Sequence, residues 1–378
     1  MNILHLGDLH LGKRVNEFSM LEDQRFILNQ ILELVEKESV DVVMICGDVY
    51  DKGIPPIEAI DLLDEFLWKL TKEGRKVLMI SGNHDSGDRL GFGKNLFKHS
   101  NLFISSRFHG EMEKIKLSQA GLSVNFYMLP FVKPVVVNHQ LGIQTGSYEE
   151  CLRYLIKQTK IDPEQTNIIL AHQFVTAGSK DPERSDSETA SLGGIDNIDY
   201  RVFDPFDYAA LGHIHKPQAM GRSHVRYSGS ILKYSFSEIK KEKEAVILHI
   251  EKNKEIEMSF HKLKPLRDMR EIRGTIKELM EEKVDLGNRE DYMQVVLTDE
   301  EEILDAIGKV RTVFPNVMQI RLENRRYEKN QAVHAEEPDA FRQDPMHLFS
   351  EFYELQNNIE LEEEEGRKLE SIFEEVEP

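Results

Sequence analysis

Short apolar, β-branched runs recur along this chain, and acid, amide or imidazole side chains stand where they end: MNILHLGDLH, DVVMICGD, KVLMISGNHD, NIILAHQ and YAALGHIH. Runs of this length read as buried strands, and polar groups just past them project into the crevice above a sheet. Between the first three, residues 20–37 place Ile27, Ile31, Leu34 and Val35 on one helical face. A second helix after Pro55-Pro56 presents Ile60, Leu63, Leu67 and Leu70. Residues 1–85 therefore read strand, helix, strand, helix, strand, which predicts βαβ units and an open sheet with helices on both faces. The run GLSVNFYMLP, a helix over Tyr148–Gln158 and the strand NIILAHQF extend this α/β pattern.

After His215 the character changes. The runs EAVILHIE and EIEMSFHKLK, joined by Lys252-Asn253-Lys254, predict an antiparallel hairpin. A shift at Pro265 marks a boundary. Beyond it the pattern predicts a helix over Leu266–Glu282, a strand over Tyr292–Leu297, a helix over Glu300–Val313 and a strand over Val317–Leu322. The chain thus divides into a main domain (1–264), a small α/β domain (265–326), an aperiodic linker (327–344) and a helix-loop-helix (345–378). Leu348, Phe349, Phe352 and Leu355 stripe the first of these last helices, and Leu369, Ile372, Phe373 and Val376 the second. A short acidic hairpin cannot form its own core, so this stripe either folds back on the body or docks on a partner.

Composition changes the picture in two places. The net charge of −19 argues against a nucleic-acid partner until it is located: residues 336–378 hold 15 acidic against 3 basic side chains, which leaves −7 for the first 335. His213 to Lys243 carries 7 Lys/Arg against 2 Glu, and is either a solvated loop or a phosphate-contacting surface. Two cysteines give no disulfide framework, and no apolar stretch approaches the ~20 residues of a membrane span. The N-terminus runs straight into a candidate site strand instead of a signal peptide, so a reducing cytoplasm is expected.

Asp8, His10, Asp48, Asn83, His172, His213 and His215 are seven potential metal ligands at strand ends, enough for two hydrolytic ions. Residues two apart on an extended chain point the same way, so Asp8 and His10 can reach one ion together, as can His213 and His215. Asp48 has two oxygens with which to bridge ions, and Asn83 offers a neutral one. Carboxylates mixed with imidazoles, and no thiolate, suit Mn²⁺, Fe²⁺ or Zn²⁺. A lone histidine after a strand is more often a hydrogen-bonded structural residue; the ordered set carries the signal. Glycines before Asp8, Asp48, Asn83 and His213 fit sharp strand-to-loop turns.

The motifs GDLH, GDVYD, GNHD, AHQ and GHIH resemble those of the calcineurin-like dinuclear metallophosphoesterases. Longer stretches (GDLHLGKR, GDVYDKGIPP, SGNHDSGDRL, the serine- and acid-rich segment around Glu183–Ala190, and FDYAALGHIHKPQ) are similar to nuclease subunits of bacterial ATP-dependent complexes, relatives of the archaeal and eukaryotic recombination nuclease. The likeness is strong over residues 1–250 and looser beyond, where the order of elements and MHLFSEFYELQ carry it. It implies an α/β fold: a β-sandwich flanked by helices, a small α/β capping domain and a C-terminal helical hairpin. One ion would sit on Asp8, His10, Asp48 and His215, the other on Asp48, Asn83, His172 and His213, with Asp48 bridging. The two histidines of GHIH then serve different ions, against the simplest reading of their spacing.

The same resemblance makes His84 a non-metal histidine that protonates the departing 3′-oxygen or stabilises transition-state charge. Asp51 occupies the position of a residue that orients it; a loop acid capping the helix after Pro55-Pro56 is the other reading of Asp51. Asp85 is read as turning the loop. Two Mn²⁺ are implied, with Mg²⁺, Fe²⁺ or Zn²⁺ as alternatives. Lys13, Arg14, Arg89, Lys216, Arg222 and Arg226 become candidate DNA contacts, with Lys233 in the same basic stretch. The implied partners are duplex DNA ends and hairpins, a second copy of this chain, and a coiled-coil ATPase of the structural-maintenance type held by Leu348, Phe349, Phe352, Leu355, Leu369, Ile372 and Phe373. No G-x-x-x-x-G-K-[ST] loop is present, so ATP belongs to that partner. The expected activity is exonuclease on duplex ends and endonuclease on hairpins or single strands. A stand-alone phosphodiesterase or nucleotidase, and a non-catalytic scaffold for the ATPase, are the competing readings.

Overall fold

The computed structural model describes residues 1–188, 196–281, 283, 287–301, 303–323, 349 and 353. In chain order, β1 (Asn2–Leu6), α1 (Leu21–Lys37), β2 (Val42–Cys46), α2 (Ile57–Thr71), β3 (Lys76–Ile80) and β4 (Leu102–Ser105) alternate as the pattern requires. A hairpin, β5 (Glu113–Gln119) and β6 (Leu122–Leu129), follows, then α3 (Tyr148–Gln158), β7 (Thr166–His172), β8 (Tyr208–Gly212), β9 (Gln218–Met220) and β10 (Arg222–Tyr227). The second hairpin, β11 (Lys243–Ile250) and β12 (Ile256–Leu263), pairs over eight residues.

These strands form two six-stranded sheets, in the orders β12-β11-β1-β2-β3-β4 and β9-β10-β8-β7-β6-β5. The inner strands are parallel: β1 to β2, β2 to β3, β6 to β7 and β7 to β8. Their C-terminal ends therefore point the same way within each sheet. Val42, Met44, Cys46, Leu78 and Ile80 of the first sheet share one apolar core with Val124, Phe126, Met128, Ile168, Leu170 and Tyr208 of the second. The expectation of an open sheet with helices on both faces is corrected here: one face of the first sheet packs against another sheet. Fully apolar runs such as VVMIC need burial on both faces, but the pattern does not say by what. On the far face of the second sheet, Tyr127, Ile169, Ala209 and Leu211 pack against Cys151, Leu152 and Leu155 of α3, whose start Ser147 caps by accepting from Glu150 N–H.

On α2 the expected face is rotated. Leu62, Leu63, Phe66 and Leu70 are buried, whereas Ile60 is 44% exposed and Ile57 73%.

The chain divides into two compact units, one running from Met1 to Arg270 and the other from Glu271. In the second, β13 (Met269–Gly274), α4 (Ile276–Met280), β14 (Tyr292–Leu297), α5 (Ala306–Arg311) and β15 (Val317–Leu322) build a three-stranded sheet in the order β13-β14-β15. Ile272, Leu279, Met293, Val295, Leu297, Val310 and Phe314 fill its core. Both strands expected after residue 290 are present. The helix expected over Leu266–Glu282 is instead a strand followed by one short helix. Thr275 and Glu278 form a capping box, a helix start written inside the span taken for one helix. The helix expected over Glu300–Val313 is confined to Ala306–Arg311, started by Asp305 accepting from Gly308 N–H. The linker and helix-loop-helix, with Leu348, Phe352, Leu355, Leu369, Ile372 and Phe373, lie outside the described residues. Phe349 is described, its ring stacked on Tyr353 at 6.5 Å. Among the described residues no helix is long and apolar enough to cross a membrane.

Candidate metal centre

Five parallel strands deliver the polar islands to one place: β1 carries Asp8 and His10, β2 Asp48, β3 Asn83 and His84, β7 His172, and β8 His213 and His215. Sharp turns lift these side chains out, and the acids and histidines make them themselves. Asp8, His10, Asp48 and His213 all have left-handed φ, 52°, 45°, 47° and 105°. Non-glycine residues adopt this region at a cost, and persist there where surrounding structure holds them. The expectation that the neighbouring glycines do the turning holds for Gly47 (φ 84°). The other tight glycines are small because backbones crowd there: a Cβ on Gly82 would lie 2.1 Å from Asp48 Oδ1 at the end of the neighbouring strand, and one on Gly212, where the two sheets meet, 1.9 Å from the Cys46 carbonyl.

All seven expected ligands converge. Donor atoms of Asp8, His10 and His215 lie within 4.8 Å of one another, as do those of Asp48, His172 and His213, and those of His10, Asp48 and His84. Asp48 stands between the groups: its Oδ2 is 3.2 Å from His172 Nε2 and 3.7 Å from His10 Nε2. Asn83 Oδ1 is 2.9 Å from His172 Nε2 and 3.0 Å from His213 Nδ1. His10 Nε2 and His215 Nε2 face each other at 3.1 Å, two nitrogens turned toward one another in a buried space. Imidazoles, two carboxylates and one amide oxygen, with no thiol, fit divalent ions of the Mn²⁺–Zn²⁺ range.

Electrostatics prepare the same atoms. Burial drives His213 and His215 down to about 3 and lowers His10, so all three are neutral imidazoles with a free lone pair. Burial also pushes Asp8 up to about 8, with Asp48 adding to the rise. For His172, burial is outweighed by Asp48 and Asp8, which raise it to about 9; for Asp48, burial is outweighed by His172 and His10, which keep it ionised. Protons thus occupy a site whose charge a cation would balance, and binding would release them.

Outer contacts fix orientation. His172 Nδ1 donates to the Cys46 carbonyl at 2.9 Å, which leaves Nε2 facing Asp48. His84 Nδ1 donates to the main-chain carbonyl of Asp51 at 2.9 Å, and its Nε2 lies 4.0 Å from Asp48 Oδ2. The role expected of the Asp51 carboxylate is corrected accordingly. It meets Lys13 Nζ at 2.7 Å and stands 3.5 Å from His10 Nδ1, while its backbone holds His84. Asp85 ties the loop, accepting from Val49, Tyr50 and Gly82 N–H.

Several residues around the site have no motif to announce them. Gln24 on α1 donates to the His10 carbonyl at 2.7 Å and accepts from Gly12 N–H. Tyr234 O–H donates to the Leu9 carbonyl at 2.6 Å. Ser187, Glu188, Glu238 and Lys243 surround His215. Two signals were available: Gln24, a polar residue on the buried side of an amphipathic helix, and the serine- and acid-rich segment around Glu183–Ala190 that holds Ser187 and Glu188. Of the six basic candidates, Arg14 and Arg89 are exposed, Lys13 pairs with Asp51, and Lys216 pairs with Glu183. Arg222 donates to the Phe203 and Phe206 carbonyls, and Arg226 stacks over Phe260 at 4.5 Å, so the fold already engages both.

A sandwich with such donors at its strand ends is the architecture of a phosphoester hydrolase. Residues 1–217 match the family model described as calcineurin-like phosphoesterase, and residues 265–357 the one described as type 5 capsule protein repressor C-terminal domain. The SbcD subunit of the nuclease SbcCD from Staphylococcus epidermidis is 36% identical over 323 residues, 84% of each chain. Two solved structures are more distant. A dimetal phosphatase from Danio rerio is 12% identical, with a TM-score of 0.43 over 70% of this chain and 96% of its own. The NAD nucleotidase of Haemophilus influenzae is 12% identical, with a TM-score of 0.32 over 94% and 70%. The chain belongs to the calcineurin-like phosphoesterases and, within them, to the SbcD nuclease subunits. It is a metal-dependent phosphodiester hydrolase with a dinuclear metal site.

Proposed function

We propose that this chain is the nuclease subunit of an SbcCD-type complex, cutting duplex DNA ends as an exonuclease and hairpins or single strands as an endonuclease. Asp8, His10, Asp48 and His215 hold one Mn²⁺, and Asp48, Asn83, His172 and His213 the other. The observation that carries this reading is Asp48, which lies within reach of both donor groups and of His84. When bound, two such ions polarise a phosphodiester and make a water nucleophilic at neutral pH. The chain's own contribution is orientation and proton supply. His84, its Nδ1 proton committed to the Asp51 carbonyl, keeps Nε2 turned to the partly open side of the site, where its side chain is 28% exposed. From there, once Nε2 carries a second proton, it gives that proton to the departing 3′-oxygen as the P–O bond breaks, or steadies charge in an in-line transition state. Asp51 acts on His10 through its carboxylate and on His84 through its carbonyl.

Lys13, Arg14, Arg89 and Lys216 are the phosphate contacts this reading favours, with Arg222 and Arg226 secondary because they already serve the fold. Residues 345–378, read from the sequence as a helix-loop-helix, bind an SbcC-like coiled-coil ATPase through Leu348, Phe349, Phe352, Leu355, Leu369, Ile372 and Phe373, and a homodimer of this chain completes a heterotetramer. A basic partner would present duplex to a subunit that is acidic by itself. The setting is the cytoplasm, near the nucleoid. The test is co-purification with the ATPase and a Mn²⁺-dependent assay on blunt and hairpin-ended duplexes. Cleavage of both is expected; turnover of small phosphodiesters alone, with DNA untouched even in the complex, would replace this reading with a stand-alone phosphodiesterase.

A further inference from the structure

Behind His215 lies a buried acid–base pair that this chemistry leaves unused. Glu238 and Lys243 are both buried and bonded to each other. Two charges taken out of water are poorly repaid by mutual attraction unless further hydrogen bonds complete the arrangement. Here they do. Lys243 Nζ also donates to the His215 carbonyl at 2.8 Å and to Ser230 Oγ at 2.7 Å. Glu238 Oε1 accepts from Tyr234 N–H at 3.1 Å and from Ser187 Oγ at 3.3 Å. Ser187 Oγ in turn lies 2.9 Å from His215 Nδ1.

Proton directions follow from donor and acceptor capacity. An ionised carboxylate only accepts, and it is a stronger acceptor than the hydroxyl of Ser185, 2.8 Å from Ser187. Ser187 therefore gives its proton to Glu238, and its oxygen accepts from His215 Nδ1–H. The His215 lone pair is then on Nε2, the atom that faces His10. The backbone of His215 is held at both ends as well: its N–H donates to Glu188 Oε1 at 2.7 Å, and its carbonyl accepts from Lys243.

We propose that Glu238, paired with Lys243 and acting through Ser187, is a positioning residue that fixes the tautomer and placement of His215 for cation binding. This rests on the reading of His215 as a metal ligand. Partners behind a ligating histidine typically contribute 10- to 100-fold in metal affinity.

The test is a Mn²⁺ titration of the full chain, by calorimetry, on wild type, His215→Ala, Ser187→Ala and the double variant Glu238→Gln/Lys243→Met. Long-range ¹H–¹⁵N spectra of the metal-free chain report the ring tautomers alongside. His215→Ala should weaken one of two binding steps. Ser187→Ala and the double variant should weaken that same step by about 10- to 100-fold and leave the other unchanged. His215 should shift from Nδ1–H toward a tautomer mixture in both. Removing both charges avoids a lone buried one; if that variant does not fold, Ser187→Ala decides alone. A pair that is merely structural would lower the melting temperature but leave both affinities and the tautomer at wild-type values, which overturns the proposal while the ligand reading stands. Unchanged binding in His215→Ala would remove His215 from the ligand set, and the inference with it.

Discussion

Asp8, His10 and His215, on the floor of the metal centre, are sealed from solvent, whereas Asn83, His84 and His213 on its rim reach it. The floor is braced on every side: Gln24 holds the His10 carbonyl, Asp8 accepts from His213 N–H at 2.9 Å, and both backbone groups of His215 are taken. On the rim, Asn83 Oδ1 meets two imidazoles, and His84 is held by the Asp51 carbonyl and by its N–H to Asp48 Oδ1. Most buried polar groups find partners, so a floor accumulates bracing, with His10 Nδ1 facing only the Asp51 carboxylate at 3.5 Å; a rim that handles substrate has to leave atoms uncommitted. Floor substitutions should therefore act on metal, and on the rim His84 should act on chemistry beside the candidate ligands Asn83 and His213.

Asp48 joins the two regions, so Asp48→Asn should have the largest effect. Mn²⁺ binding should weaken at both steps, and hydrolysis of a small phosphodiester should fall by about 10³-fold or more. Loss of one step alone would separate the regions that Asp48 is taken to join. Next, His84→Asn should cost about 10²- to 10⁴-fold in rate with Mn²⁺ affinity unchanged; an equal fall in affinity would erase the rim as a distinct region. Asp51→Asn sharpens the contrast, because the bond to His84 is a main-chain one and survives. Its effect should be a roughly tenfold weaker floor-side binding step, measured by the same titration, with a smaller change in rate than His84→Asn.

Below the floor, His5 bonds to Tyr208 O–H at 3.1 Å and to the Leu211 carbonyl at 3.2 Å, linking β1 to β8. Burial lowers its pKa to about 3. The folded chain thus binds fewer protons there than the unfolded chain between about pH 3 and 6.5. The stability this histidine permits is complete above 6.5 and is lost as pH falls toward 3, at up to about 1.4 kcal/mol per pH unit. Urea midpoints between pH 4.5 and 7 should show a shallower acid decline in His5→Gln; an unchanged slope would mean that His5 does not titrate this way. The smallest effect belongs to Arg89→Ala, exposed and outside the donor set. It should weaken DNA binding modestly and reduce the slope of log affinity against log salt by about one, with turnover of small phosphodiesters unchanged.

The candidate ligands were legible because metal chemistry restricts residue types and strand ends restrict their place. GDLH, GD, GNHD, AHQ and GHIH after apolar runs marked all seven, and no partner was needed to see them. The bracing was not legible: Glu238 and Lys243 sit in a basic, serine-rich stretch where any lysine reads as solvated. Arg222 and Arg226 show the converse, since basic residues near a site in sequence are also engaged by carbonyls and an aromatic ring in space. Asp51 was found for its carboxylate, though its carbonyl is what holds His84.

The pattern of the chain was enough for the βαβ start, the hairpin of β11 and β12 and the set of donor residues, because these depend on local periodicity and on the chemistry of single side chains; the hairpin of β5 and β6 was read only as a further strand. That a second sheet covers the first was implied by the family resemblance and not by periodicity, and the fold bears it out; which atom of each histidine faces the cation site, and which buried charges stand behind them, came from the fold alone. Those depend on approach between residues more than a hundred positions apart, such as Gly212 against Cys46, and on hydrogen bonds whose partners no local window contains.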